Sequence, residues 1–215
     1  LINKVMKVKD ILKEAPLPDD WDKSAYKSNT SFASRIRYAV ERAQKLGTGS
    51  SRVAFEIEYE GRPTVLKVAK NKKGIAQNDY ESQMLDDYYF TGLGLNIPMI
   101  DYDEENESPV WIHMEKADKM KPTQFKKFFS GLTPDEAIRV AEYGSGKINV
   151  SPEETERYQQ LIEENDYLDS LVDLIGNYDI AHGDLRRLAN WGIYQNRPAI
   201  IDIGGSSKVI KQYYT

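Results

Sequence analysis

The chain has 215 residues, a formal net charge of −5, no cysteine and only two histidines, His113 and His182, which excludes a disulfide framework, a thiolate metal site and a structural zinc centre. The acidic balance argues against a dedicated nucleic-acid binder, whose surface must neutralise phosphates. No apolar run approaches the roughly 18 residues of a membrane span, and LINKVMKVKD lacks the apolar centre of a signal peptide, so the expectation is a soluble, cytoplasmic chain with neither membrane nor nucleic acid as partner.

This length suits one sizeable core or two small lobes. Leucine rather than methionine at position 1 leaves room for the chain to be a piece of a longer protein. Residues 1–30 read as an N-terminal extension, in which the amphipathic VMKVKDILKEA ends at Pro16 and Pro18 before a polar, turn-rich stretch. From Ser31, SFASRIRYAVERAQKLG sets Phe32, Ile36, Ala39, Val40 and Ala43 on one helical face and puts Gly47 where a helix should stop. RVAFEIEYE and TVLKVAK then alternate as two strands around Glu60-Gly61-Arg62-Pro63, which is a hairpin pattern. A helix is expected over about 75–93, with a break at TGLGLN, and NIPMIDY and PVWIHME read as a second hairpin joined by DEENES. The order is strand, strand, helix, strand, strand.

The second half is mostly helical, so the fold class is α+β. Thr133-Pro134-Asp135-Glu136 and Ser151-Pro152-Glu153-Glu154 each combine a capping-box spacing with proline at the first helical position. The second start opens one long helical segment, SPEETERYQQLIEENDYLDSLVDLIGNYD, whose apolar face is Tyr158, Leu161, Ile162, Leu168, Leu171, Val172 and Ile175.

Three stretches could carry chemistry. In LGTGSSRVAF, a Gly-x-Gly turn lets backbone amides approach phosphate oxygens, although alone it also fits an ordinary turn between helix and strand. Lys67 lies between Leu66 and Val68 and must face away from both, which makes it either an inward functional lysine or a solvated edge lysine. If buried it needs a counter-charge, for which Glu81 is best placed and Asp79 is the rival. Further on, His182-Gly183-Asp184-Leu185 is followed by Asn190, and Asp202 stands inside the apolar run AIIDIG, where a carboxylate is costly unless a cation meets it. Two acids and an amide oxygen, with a glycine turn and a lysine upstream, make an oxygen-ligand set for Mg²⁺ and a triphosphate.

In this order the motifs resemble the protein-kinase-like superfamily, including its aminoglycoside-phosphotransferase type, which writes HGD where protein kinases write HRD. The resemblance covers most of residues 46–205. It implies a bilobal fold: an antiparallel sheet with one main helix over 31–117, then a reduced, mostly helical lobe over 118–215. It also implies ATP and Mg²⁺. Gly47, Gly49, Ser50 and Ser51 would form the phosphate loop, and Lys67, fixed by Glu81, would hold the α- and β-phosphates. Met114 would be the gatekeeper, with Glu115 to Ala117 presenting backbone to adenine. Asp184 would orient the acceptor hydroxyl and take its proton, Arg186 would stand near the γ-phosphate, and Asn190 and Asp202 would hold the metal. Arg187 is read as a contact for an anionic substrate and His182 as packing for the loop. The phrase VLKVAKNKKGIAQN also resembles small phage-encoded kinase-like proteins, which would place the chain in a host cytoplasm.

Three departures stand against this pattern. The third glycine of the loop is missing, and Ser51 and Arg52 occupy its region, where Arg52 can substitute a cationic donor. Asn190 comes six residues after Asp184 instead of five. That adds up to ~3.5 Å of reach, where roughly 1 Å of misplacement can cost about 100-fold in rate. Only KVIKQYYT and a short turn follow Asp202, with no room for the segment on which protein kinases dock peptides. The first expectation is a minimal Ser/Thr-type protein kinase acting on a protein hydroxyl. A small-molecule phosphotransferase and a nucleotide-binding pseudokinase are the alternatives, and the acceptor and oligomeric state stay open.

Overall fold

The computed structural model describes residues 31–103 and 109–213. The N-terminal extension and the DEENES connection, apart from its first residue, lie outside them. The fold is α+β, as expected. Its first half is a five-stranded antiparallel sheet in the order β1-β2-β3-β5-β4: β1 (Gln44–Thr48), β2 (Arg52–Tyr59), β3 (Arg62–Ala69), β4 (Met99–Tyr102) and β5 (Trp111–Glu115). Both expected hairpins are present, β2 with β3 and β4 with β5.

One strand was not legible. The helix read from Ser31 toward Gly47 holds only over α1 (Phe32–Val40), capped by Ser31, and Val40 is 54 % exposed instead of facing the core. Residues Gln44–Thr48 instead pair with β2, with a bulge between Lys45 and Gly47. The unpaired backbone edge of β2 takes a partner strand, which satisfies its amides and carbonyls. All five residues of β1 are exposed, so no hydrophobic alternation announces it.

The sheet has two different faces because successive side chains alternate. On one, Val53, Phe55, Ile57, Leu66 and Val68 bury themselves against Tyr38 and Ala39 of α1, with Val110 and Trp111 completing the cluster. On the other stand Arg52, Ala54, Val65 and Lys67. Over this polar face lies α2 (Lys72–Asp86), which starts earlier than expected because Asn71 accepts from the Gly74 amide. Its buried residues are Gly74 near the start, Asn78, Glu81 and Ser82 in the middle and Met84 and Leu85 at the end, so the helix meets charge first and core later. Asp87 ends it and caps the short α3 (Tyr88–Gly92).

A larger core fills the second half and extends into the first through Met84, Leu85, Phe90, Ile112 and Met114. A short strand β6 (Asp118–Lys119) joins β7 (Trp191–Tyr194) and β8 (Arg197–Ile200) in a second antiparallel sheet. Of the helices, α4 (Pro122–Phe128) packs on β8, α5 (Pro134–Gly144) packs on α6 (Pro152–Glu163) and α7 (Asp166–Asn177), and at the end α9 (Ser207–Tyr213) lies against α2. Both capping boxes form, Thr133 with Glu136 and Ser151 with Glu154. The single long helix expected from Ser151 is two. Asn165 caps α7 by accepting from Tyr167 and Leu168, while its own amide donates to the Phe128 carbonyl at 2.9 Å. That tertiary bond offsets the cost of breaking the helix, and periodicity alone could not reveal it.

Candidate active site

A cleft of about 770 Å³ opens between the polar face of the first sheet and the turns around β7 and β8. Of the residues singled out by sequence, Gly47, Gly49, Ser50, Ser51, Lys67, Met114, Glu115, Ala117, Asp184, Asn190 and Asp202 line it. Glu81 stands directly behind it, and Arg186 is not brought to it.

The glycine turn is the tip of the β1–β2 hairpin, closed by the Gly49 amide donating to the Arg52 carbonyl at 2.9 Å. A Cβ at Gly47, just before the turn, would meet nothing within 4 Å, so the space beside that residue is open. From below, the turn is clasped by the start of α2. Lys70 Nζ donates to the Gly49 carbonyl at 2.9 Å, Asn71 to the Ser50 carbonyl at 3.2 Å, and Lys73 Nζ to Ser50 Oγ at 3.1 Å, while Ser51 Oγ donates to Gln77 Oε1. Gly74 makes the approach possible, since a Cβ there would fall 2.2 Å from the Ser51 carbonyl oxygen.

Behind the turn is a chain of buried charges. Lys67 Nζ donates to Glu81 Oε1 at 2.6 Å and to the Ile201 carbonyl at 2.6 Å. The other Glu81 oxygen accepts from Arg52, whose guanidinium also donates to Asn78 Oδ1 at 3.2 Å and to Asp202 Oδ1. The Glu81 side chain is 0 % exposed and those of Lys67 and Arg52 are both 7 %, whereas Asp202 remains 46 % open to the cleft. Glu81 thus holds two cations, and Asp79 is no part of the arrangement. Burial works to raise the Asp202 carboxyl, but Arg52 and Lys67, with the Gly204 amide, outweigh it and hold the group below the ordinary aspartate value. Burial likewise works against the Arg52 charge, and Asp202 and Glu81 more than offset it.

Beside these charges the same sheet face turns apolar, and Ala54, Val65 and Met114, with Ile97, line that part of the cleft. The Glu115 carboxylate turns aside to Arg62 at 2.6 Å, and Glu115, Lys116 and Ala117 border the cleft at the end of β5.

At the floor, α8 (His182–Leu185) is a single helical turn, followed by a 3₁₀ turn over Leu188–Asn190. These two turns keep the six-residue step from Asp184 to Asn190 short, since a helical rise is about 1.5 Å per residue against ~3.5 Å for an extended chain. Asn190 then folds back, its Nδ2 donating to the Asp184 carbonyl at 2.9 Å, and its own carbonyl accepts from the Ile201 amide at 2.8 Å. Asn190 and Asp202 therefore share one wall. Arg187 lines the rim, 3.7 Å from Asp184 Oδ1.

Arg186 goes the other way. Its guanidinium pairs with Asp135 Oδ1 and Glu142 Oε2 of α5, both at 2.6 Å, and the other Glu142 oxygen lies 2.9 Å from His182 Nδ1. The position expected for it near a γ-phosphate is not where the side chain lies. Its two partners are 51 and 44 residues away in sequence, so no local pattern marked them.

Sequence reasoning also missed the role of Arg52. It was noticed as a cation in the loop, but the side chain points inward, bridging carboxylates 29 and 150 residues distant. The one available signal was the strand parity of Arg52 and Ala54, which share a face with Lys67 across the hairpin.

Mg²⁺ takes oxygen ligands and retains several waters, needing only one or two carboxylates beside substrate phosphates. The half-open Asp202 carboxylate, together with Asn190 whose Nδ2 is committed and whose Oδ1 is an acceptor, fits such an ion. Among the described residues no group of three or more His, Cys, Asp or Glu could hold a metal, so phosphates and water would complete the shell. No helix among these residues is long and apolar enough to cross a membrane.

No protein-family model and no curated protein matches the chain. Among solved structures it is similar to aminoglycoside phosphotransferase APH(4)-Ia. A thermostable mutant of that enzyme, in ternary complex with AMP-PNP and hygromycin B, is 15 % identical, with 79 % of this chain and 70 % of that one covered and a TM-score of 0.38. A second structure of the enzyme is 14 % identical, covering 82 % and 72 % at the same TM-score. An apo form of a thermostable mutant is 15 % identical, covering 76 % and 67 % at a TM-score of 0.35. Superpositions this loose, at these identities, assign no chemistry to the chain.

Proposed function

We propose that the cleft binds ATP with Mg²⁺ and transfers the γ-phosphoryl group to a hydroxyl of a small molecule. The observation that carries this reading is the buried Lys67–Glu81 pair at 2.6 Å, opening beside Asp202, Asn190 and Asp184 in a cleft that the glycine turn also lines. In its terms, residues 31–117 and 118–215 are two lobes with the nucleotide between them. The turn over Gly47–Ser51 covers the phosphates, Lys67 contacts the α- and β-phosphates with Glu81 fixing its position, and the backbone at Glu115–Ala117 takes the adenine against Met114.

Asn190 and Asp202 would hold the metal, which when bound neutralises charge on the phosphate oxygens. Asp184 accepts the proton of the acceptor hydroxyl as the new O–P bond forms and the bond from the γ-phosphorus to the bridging oxygen breaks, leaving ADP. Its carboxylate, 41 % exposed at the cleft floor, is open to such a hydroxyl. A small acceptor is favoured over a peptide because α9 begins at Ser207, five residues past Asp202, and the intervening Ile203-Gly204-Gly205-Ser206 is buried. That stretch has neither the length nor the exposure to dock an extended chain. A nucleotide-binding module without transfer is the second reading, favoured by Arg52 standing on Asp202.

Thermal melting with Mg-ATP tests the first step. At ~100 times its dissociation constant a ligand adds about 2.7 kcal/mol, a rise of roughly 5–10 °C for a domain of this size. Absence of any rise at millimolar Mg-ATP removes both readings. Labelled-phosphate transfer onto polyol and amino-sugar panels, against protein acceptors, then separates the classes. Asp184→Asn should keep the nucleotide-induced rise and lose transfer by about 100-fold or more; undiminished transfer would take Asp184 out of its role.

A further inference from the structure

Arg52 is the feature that the proposed chemistry does not require. A site that holds nucleotide through Lys67 and metal through Asp202 is complete without it, yet this side chain is buried and makes three polar contacts, to Glu81, Asn78 and Asp202. Two cations, Arg52 and Lys67, face two carboxylates, Glu81 and Asp202, so the buried cluster is charge-balanced by the protein itself. A guanidinium in this setting stays charged at any working pH and forms a fixed fork.

We infer that Arg52 is a positioning residue for Asp202: it holds one carboxylate oxygen, weakens the affinity of that carboxylate for a free divalent cation, and so makes cation entry depend on arriving with nucleotide phosphates. This rests on reading Asp202 as a cation ligand. It does not need the phosphotransferase reading to be right about transfer.

The physical argument is one of competing charges. Arg52 touches Asp202 Oδ1, and an ion on the same carboxylate would sit only a few ångströms from the guanidinium. Even at an effective dielectric of about 20, a divalent ion 5 Å from a unit charge is opposed by several kcal/mol. The opposing effect, loss of an ordered carboxylate when Arg52 is removed, is smaller, because the Gly204 amide also donates to Asp202 Oδ1, at 3.2 Å, and remains in place. Phosphates change the balance. Their negative charge offsets the guanidinium, so the ion is admitted as a metal–nucleotide complex while the other Asp202 oxygen is available to it.

Mn²⁺ binding to the full chain without nucleotide, followed through the free-ion paramagnetic signal, tests this directly. Wild type should bind Mn²⁺ weakly. Arg52→Gln, which can still hydrogen-bond to Glu81 and Asn78, should bind it more tightly by on the order of tenfold or more, and adding Asp202→Asn should abolish the gain. Arg52→Lys keeps the charge and should stay within about threefold of wild type.

A residue that merely staples β2 to α2 would lower the melting temperature in both variants and tighten neither, so a gain of cation affinity in a less stable protein separates the two roles. Equal or weaker Mn²⁺ binding in a folded Arg52→Gln overturns the inference, as does a tightened Arg52→Lys. Should the Gln variant not fold, Arg52→Met takes its place as the uncharged variant with the same expectation, and a tenfold gain in Arg52→Lys overturns the inference in either case. Failure of the proposed function looks different, since transfer would be missing while the Mn²⁺ difference between variants persisted.

Discussion

Two knots of charge flank the turn that carries Asp184, and they are built on opposite terms. In front, Arg52, Lys67 and Glu81 are almost wholly buried and meet Asp202 at the cleft. Behind, Glu142 joins His182 and Arg186, and Arg186 reaches the exposed Asp135. Each knot holds one end of the IDIG and HGD pair, but the front one rests on three buried side chains and the rear one on partly exposed ones. Where solvent is excluded, removing one partner strands another charge; where it is admitted, water replaces the lost partner.

Glu81→Ala is the harshest test of that contrast. It leaves Lys67 and Arg52 buried around an emptied position, for which a loss of about 3–5 kcal/mol is expected, or very roughly 6–20 °C in melting temperature. Calorimetric melting reads it. A loss under about 1 kcal/mol would mean that the buried cations find other partners, and the distinction between the two knots would lapse.

The same contrast explains what the sequence could disclose. The β2–β3 hairpin, the capping boxes, the Lys67–Glu81 pair and the order of glycine turn, HGD and IDIG were all legible, because each is written in local spacing or alternation. What stayed hidden depends on position in space. β1 is an exposed edge tied to β2 by backbone pairing, the break at Asn165 answers to Phe128, and Arg52 and Arg186 chose carboxylates far along the chain. The mismatch between Asp184 and Asn190 was visible as a count. That the stretch forms a helical turn and then a 3₁₀ turn was visible only in the fold.

Glu142→Gln should cost less, about 1–2 kcal/mol. Its side chain is 13 % exposed and bears charge-assisted bonds, but Arg186 is 30 % exposed and keeps Asp135. The expected melting shift is a few degrees, with larger loss of transfer than of Mg-ATP binding, because the turn under Asp184 is what loosens. A shift matching that of Glu81→Ala would show that the rear knot is as closed to water as the front.

The smallest effect concerns acid. The Asp202 carboxyl lies below its ordinary value of 3.8 in the folded chain, burial being outweighed by Arg52 and Lys67. A depressed folded value means that the contribution to stability is fully present above the unfolded value and is lost as pH falls through the folded one. Stability should therefore be insensitive to Asp202 near neutrality and should decline below about pH 4. Because the side chain is 46 % exposed, solvent screens part of that contribution. Asp202→Asn should flatten the acid limb of the stability curve measured by urea unfolding between about pH 5 and 2.5, and Arg52→Gln should flatten it too, since the guanidinium is the leading favourable influence on the carboxylate. An acid limb unchanged in both would place Asp202 outside the front knot and leave Glu81 alone to hold its two cations.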